Sequence, residues 1–298
     1  MDAGGWTGGP FSGAVGRDDI IRRINSIDLG ETPEEMRAGF RKLVLGDTPD
    51  AVGPGAPVDV MEQEDGLLVR GSGTAAPEIV WFHGGGYVFG APETHLRPAA
   101  HLALASGRSV FLPRYPLAPE NEWPAQLDAA LNAIANRPQI PILAGDSAGG
   151  HLALVTGLAF ARRGTPPPAL LLFSPNTDRT GRNEARAIMS NLDPMVDDED
   201  DARLARMCFG DDFDPVDPEV SPLMDDLSLL PPTWIEVGMP EVLRDDAVLL
   251  HERAKACGAR NVGIEITPGL LHMGQLWAPW WDEARASLDR AAAFLDRM

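Results

Sequence analysis

The sequence predicts an α/β fold on a mostly parallel sheet covered by helices, and three observations carry that expectation. Strand-like and helix-like segments alternate from Glu78 onward, the pattern of successive βαβ units. The runs 140–144 (IPILA) and 169–173 (ALLLF) are continuously apolar, as in strands buried on both faces. Between the first of these runs and an Ala/Gly/Leu-rich helical segment stands Gly145-Asp146-Ser147-Ala148-Gly149. This is the G-x-S-x-G pattern, in which a strained strand-to-helix turn leaves a serine hydroxyl exposed at the carboxyl edge of a sheet.

In chain order, residues 1 to about 18 are Gly-rich and expected to be loose or loosely docked. Residues 18–27 and 32–44 have the spacing of two short helices, the second with Thr32 as N-cap, Pro33 at its first position and Glu35 at capping-box spacing. A Pro/Gly loop is expected over 47–57, then a hairpin of 58–64 and 66–72 turning at Glu64-Asp65-Gly66. Residues 78–82 form the first strong strand. Thr94 is expected to cap a helix running to about 106, with a strand at 109–114 and helical spacing at 124–135. After the run at 169–173, regular alternation resumes with a strand at 233–237, a helix at 242–256, a strand at 263–267 and a last helix at 282–297.

Periodicity fails over 176–217, a stretch too long for a plain connector, so it is read as an insertion with its own short helices. The expected division is an N-terminal helical cap segment over 1–57 and a catalytic domain over 58–298, with 176–217 contributing to the cap or lid.

The 25 Lys+Arg and 44 Asp+Glu leave a net charge of −19, which argues against nucleic acid or an anionic membrane as partner. A neutral or cationic small molecule is easier to accommodate. The two cysteines, Cys208 and Cys257, form no metal-type cluster and are expected as free thiols. With no basic and apolar leader and no membrane-length apolar run, the expected location is cytoplasmic.

A serine that transfers acyl groups needs a base, a carboxylate to orient that base, and donors for the oxyanion. His83-Gly84-Gly85-Gly86 follows the first strong strand and matches an HGGG oxyanion loop, so the amides of Gly84 and Gly85 are the expected donors, completed by that of Ala148. Of six histidines, His83 belongs to this loop, while His95, His101, His151 and His251 fall in helical segments. His272 alone follows a late strand in an irregular loop, where an imidazole can reach the sheet edge. Glu241 is the first carboxylate beyond the strand at 233–237 and lies between serine and histidine in chain order. Asp245 and Asp246, one turn further on, are the rival acids. Neither metal nor cofactor is expected.

Taken together, His83-Gly84-Gly85-Gly86, Tyr115-Pro116-Leu117-Ala118-Pro119-Glu120, Gly145-Asp146-Ser147-Ala148-Gly149-Gly150, Asp193-Pro194-Met195, Ser221-Pro222-Leu223 and Glu241-Val242-Leu243-Arg244-Asp245-Asp246 resemble the bacterial hormone-sensitive-lipase-like esterases. The resemblance runs from about Val58 to the C-terminus. It implies an α/β-hydrolase fold with an eight-stranded mostly parallel sheet and a small helical cap. It further implies cofactor-free hydrolysis of small carboxylic esters or lactones, with Ser147, Glu241 and His272 as the triad, and it permits a homodimer. The chain departs from the family in having Pro116 and Asn121 where Arg and His are usual, and Glu241 where Asp is usual. Arg114 is the cation available to brace Glu120 instead.

Tyr87, Phe89, Met195, Phe209, Leu271 and Met273 lie near the motif loops or in the expected lid and are read as pocket residues, ordinary packing accounting for each equally well. Two other functions fit the same scaffold: a lyase or cyclase of small-molecule biosynthesis, and a non-catalytic small-molecule receptor. Retention of His272 ranks the receptor last.

Overall fold

The computed structural model describes residues 9–47, 58–71 and 73–298. All but the first residue of the expected loop at 47–57 lies outside them, as do residues 1–8 and 72. The chain begins with α1 (Arg17–Asn25), α2 (Pro33–Leu45), β1 (Asp59–Gln63), β2 (Gly66–Arg70), β3 (Ala75–Phe82) and α3 (Pro92–Ser106). It continues with β4 (Arg108–Pro113), α4 (Ala125–Ala135), β5 (Ile142–Asp146), α5 (Ala148–Arg162) and β6 (Leu170–Phe173). After α6 (Arg186–Met189) and α7 (Asp198–Phe209) come β7 (Thr233–Gly238), α8 (Arg244–Ala256), β8 (Val262–Thr267) and α9 (Asp282–Asp296).

The eight strands form one sheet in the order β1-β2-β4-β3-β5-β6-β7-β8. The β1–β2 and β2–β4 pairs are antiparallel, whereas β5 to β8 run parallel. This is the α/β-hydrolase architecture that the motifs implied.

By its contacts the chain divides into two units. The first comprises Met1–Ile79, Phe89–Arg114 and Gly274–Met298. Here α2 starts as its sequence dictates: Thr32 Oγ1 accepts from the Glu35 amide at 3.3 Å, and Glu35 Oε2 accepts from the Thr32 amide at 3.0 Å. Such a cap is worth about 1 kcal/mol. The helix buries Met36, Phe40 and Leu43, with Phe40 against Phe89 at a ring distance of 5.0 Å. Arg97 of α3 donates to the Val44 carbonyl at 3.1 Å and lies over the Trp280 ring at 4.9 Å. Phe11 meets Trp277 and Trp280 edge-on, so the tryptophan cluster serves packing and the end of the Gly-rich lead is docked. The α3 helix starts two residues before the expected cap: Pro92 takes the first helical position, and Thr94 instead bonds back to the Ala91 carbonyl at 2.7 Å from inside the first turn. Arg114 pairs with Glu62 and Glu93, at 3.0 and 2.7 Å, which corrects the expectation that it braces Glu120.

The second unit comprises Val80–Val88 and Tyr115–Met273. The pairs Asp146 with Phe173, Phe173 with Glu236 and Gly238 with Thr267 keep the strand ends level, so the loops after β5, β6, β7 and β8 emerge at one edge. In open α/β sheets that edge is where ligands bind. The core is continuous over Leu143, Leu170, Leu171, Leu172, Ile235 and Val237, all fully buried. As expected, residues 176–217 carry short helices of their own, α6 and α7. Four acids, Asp198 to Asp201, occupy the first turn of α7, where the helix dipole favours negative charge.

Candidate active site

Ser147 sits between β5 and α5 with φ 54° and ψ −122°, a conformation costly for a residue bearing Cβ. Close packing holds it there. A Cβ on Gly145 would lie 2.1 Å from the Gly149 carbonyl oxygen, and one on Gly149 would lie 2.1 Å from that of Phe82, so only glycine fits at either position. The Ser147 amide is tied to the Phe173 carbonyl at 2.9 Å, and the Ser147 carbonyl accepts from His151 at 3.0 Å. Asp146 accepts from the Trp81 indole at 2.7 Å, joining the turn to the end of β3.

His272 lies five residues beyond β8 and is 3% exposed. Its Nε2 is 3.0 Å from Ser147 Oγ, and its Nδ1 is 3.0 Å from Glu241 Oε2. The three side chains expected from scattered positions therefore meet in one relay. Glu241 is fully buried, and its other oxygen accepts from the Gly238 amide at 2.5 Å. Burial opposes the charged imidazolium, but the hydrogen bond and charge of Glu241, followed by Asp193 and Asp146, raise the His272 pKa to about 8.

The rival acids are occupied elsewhere. Asp245 pairs with Arg244 at 2.6 Å. Asp246 is buried, accepting from the Thr177 and Asp178 amides at 2.9 and 3.0 Å, from Asn183 at 2.6 Å and from Arg186 at 3.0 Å. Its burial outweighs these partners and raises its pKa. Arg186 also reaches Asp201 of α7 at 2.7 Å, and Arg179 closes on the same carboxylate. Although burial opposes it, the two arginines hold Asp201 well below the carboxylate range. Asn176, whose amide donates to the Ser147 carbonyl at 3.3 Å, donates its side chain to Asp201 at 2.7 Å. The network thus links the loop after β6, α7 and α8 beside the serine turn.

The glycine loop lies against that turn. A Cβ on Gly84 would approach Asp146 Oδ2 and the Met273 methyl to 2.6 Å each, which places both groups against the loop. Tyr115 stacks on His83 at 4.2 Å, its hydroxyl donating to the His83 carbonyl at 2.6 Å. Leu204 of α7 packs on Gly86. Ala148, the first residue of α5, immediately follows the serine.

The expected pocket residues scatter. Tyr87 and Phe209 share an aromatic cluster with Trp123 and His151. Met273 lies on Gly84, Leu271 is fully buried, Met195 is half-buried beside Asp193, and Phe89 packs on Phe40 in the first unit. A cavity of about 410 Å³ opens beside the charged network, lined by Asp178, Arg179, Arg186, Ala202 and Phe213 and by none of those six.

Two groups escaped the sequence reading. Asp193, buried, accepts from the Met195 amide at 2.9 Å and from the Val242 amide at 3.1 Å, next to Glu241. Burial, tempered by His272 and reinforced by Glu241, raises its pKa to about 6. Its place in the Asp193-Pro194-Met195 motif was the available signal. The other is His151, four residues after Ser147 and so on the same face of α5.

Among the described residues, no group of three or more His, Cys, Asp or Glu could hold a metal ion, and no helix is long and apolar enough to cross a membrane. Cys208 and Cys257 are free thiols.

Residues 79–275 match the family described by the alpha/beta hydrolase fold. An esterase of Acinetobacter venetianus is 32% identical over 236 residues, covering 77% of this chain and 78% of the relative. An acetyl-hydrolase of Streptomyces hygroscopicus is 33% identical over 224 residues, covering 73% and 74%. Among solved structures, an esterase from the bacterial hormone-sensitive lipase family superposes with a TM-score of 0.84 at 30% identity, covering 94% of this chain and 97% of that one. The chain belongs to the α/β-hydrolase fold family, in its bacterial hormone-sensitive-lipase branch.

Proposed function

We propose that the chain is a serine carboxylic-ester hydrolase acting on small neutral esters or lactones through an acyl-enzyme. The observation that carries this reading is the relay from Ser147 Oγ through His272 to Glu241, with both contacts at 3.0 Å. The esterase and acetyl-hydrolase names of the relatives support the same class of reaction.

In the first half-reaction, neutral His272 takes the Ser147 proton at Nε2 as Oγ attacks the ester carbonyl carbon. The amides of Gly84, Gly85 and Ala148 receive the oxyanion, and the α5 dipole favours it. The imidazolium then gives its proton to the departing alkoxide. Water enters, loses a proton to Nε2 and attacks the acyl carbon, and Ser147 leaves with the proton returned. Glu241 holds the proton on Nδ1 and stabilises the charged ring. The acidic surface supports uncharged substrates over anionic ones.

The helices in 1–57 and the segment 176–217 form the cap in this reading, supported for the second by the packing of Leu204 on Gly86. A cytoplasmic location and a homodimer belong to the same proposal. The net charge of −19 supports a protein that stays off anionic surfaces.

The test is turnover of p-nitrophenyl esters of graded acyl length and of lactones, by the native protein and Ser147→Ala. Ester turnover abolished by the substitution is the expected result. Isomerised product without ester cleavage selects the lyase, and tight ligand binding without labelling of Ser147 selects the receptor.

A further inference from the structure

The aromatic cluster behind the serine contains a polar pair that the triad does not use. Tyr87 Oη lies 2.6 Å from His151 Nδ1, and both side chains are 3% exposed. Tyr87 follows the glycine loop directly, and His151 stands one turn below Ser147 on α5. The tyrosine holds φ at 66°, a left-handed conformation disfavoured for an aromatic residue, so its ring is aimed at the helix against a backbone cost.

Burial, reinforced by the positive charge of Arg179, drives the His151 pKa down to about 3, with the Val220 and Glu219 backbone opposing. The imidazole is therefore neutral across the working range. Its Nε2 is buried and makes no hydrogen bond of good geometry, although the Val220 and Glu219 backbone faces it. That environment favours the proton on Nε2, which leaves Nδ1 as acceptor and the Tyr87 hydroxyl as donor.

Tyr87 meets Tyr115, His151 and Phe209 edge-on, at ring distances of 6.3, 5.8 and 6.1 Å, and Trp123 at 5.8 Å. Its carbonyl accepts from the Ala118 amide at 2.9 Å, so ring and backbone are both fixed. The donors proposed at Gly84 and Gly85 come from the loop ending at Tyr87, while Ser147 and the Ala148 amide belong to α5. The tyrosine–histidine bond spans these two elements.

We propose that Tyr87 and His151 act as a positioning pair that sets the separation of the glycine-loop amides from Ser147 and Ala148. The pair thereby fixes the geometry in which the oxyanion is received, and this inference rests on the esterase reading above. Neither residue touches the reacting atoms. Their contribution is made in the transition state, since a carbonyl oxygen and an oxyanion differ in how much they gain from well-placed donors.

The experiment compares Tyr87→Phe, His151→Leu, His151→Asn and the double variant Tyr87→Phe/His151→Leu on p-nitrophenyl butyrate. It also measures inhibition by phenylboronic acid, which forms a tetrahedral adduct on a serine, and by butyrate. Tyr87→Phe is expected to lower kcat about tenfold to fiftyfold with KM within about twofold. Boronate affinity falls in parallel, while butyrate affinity and melting temperature hold. His151→Asn, whose amide oxygen can occupy the Nδ1 position, recovers most of the His151→Leu loss. The double variant loses little more than either single one, because both break the same bond. Unchanged kcat in Tyr87→Phe, multiplying losses in the double variant, or equal loss of boronate and butyrate binding each overturns the pair's role. Native protein that turns over no ester overturns the esterase reading itself, whereas a wild-type rate in Tyr87→Phe with an inactive Ser147→Ala overturns only the pair.

Discussion

The backbone N–H of Gly238 donates to Glu241 Oε1 at 2.5 Å, and this one bond turns the other carboxylate oxygen toward His272. The end of β7 and the orienting acid are thus a single structural unit.

A side chain at 238 has no room. A Cβ there would stand 2.2 Å from the Leu270 carbonyl oxygen and 2.6 Å from Glu241 Oε1, so backbone on the histidine loop must move. Gly238→Ala is expected to cost about 1–3 kcal/mol of stability by overpacking and to lower kcat/KM at least about tenfold. Thermal unfolding and steady-state kinetics check both.

Replacing the acids one at a time separates the rivals. Glu241→Gln is expected to lower kcat about a hundredfold to ten-thousandfold, through loss of the correct tautomer and of imidazolium stabilisation. Asp245→Asn, which disturbs only the half-exposed pair with Arg244, is expected to stay within about threefold. Comparable losses in both would contradict the assignment.

The pH profile follows from the charge around His272. With its pKa raised to about 8, the ring is protonated at Nε2 below that value and cannot take the serine proton. kcat/KM is therefore expected to rise with pH through a midpoint near 8 and to fall about tenfold per unit well below it. Asp193→Asn removes one of the charges that raises this pKa and is expected to lower the midpoint by up to about one unit, increasing activity at neutral pH. For stability the sign is opposite to that of activity. The favoured imidazolium contributes fully below the unfolded value of 6.5, and the contribution is lost as pH rises through about 8.

Asp246→Asn tests the buried network. It would leave Arg186, which is 9% exposed, with its charge less compensated, and would put an amide N–H against one of the groups that donate to Asp246. Breaking a buried pair in this way costs about 3–5 kcal/mol. A large fall in melting temperature is expected, with residual kcat per folded molecule within about tenfold of native.

The elements that were legible in the sequence are those whose chemistry is local. The Thr32 cap, the apolar run into Ser147 and the glycines at 84–86, 145 and 149 each announce their conformation within a few residues. The acid was harder, because Glu241, Asp245 and Asp246 differ in what reaches them from Gly238, Arg244 and Arg186 rather than in local pattern. Asp193 and His151 were missed for the same reason, since their partners at Val242 and Tyr87 are 49 and 64 positions away. Arg114 was misread because Glu62 and Glu93, both distant in sequence, claim it.

The central claim is that the hydroxyl of Ser147 becomes acylated. Rapid quenching of the protein with p-nitrophenyl butyrate, followed by peptide mass spectrometry, tests it most directly. The account predicts a burst of one p-nitrophenolate per chain with a butyryl group on Ser147 and none in Ser147→Ala. Turnover with no acyl group on Ser147, or undiminished turnover by Ser147→Ala, would contradict it.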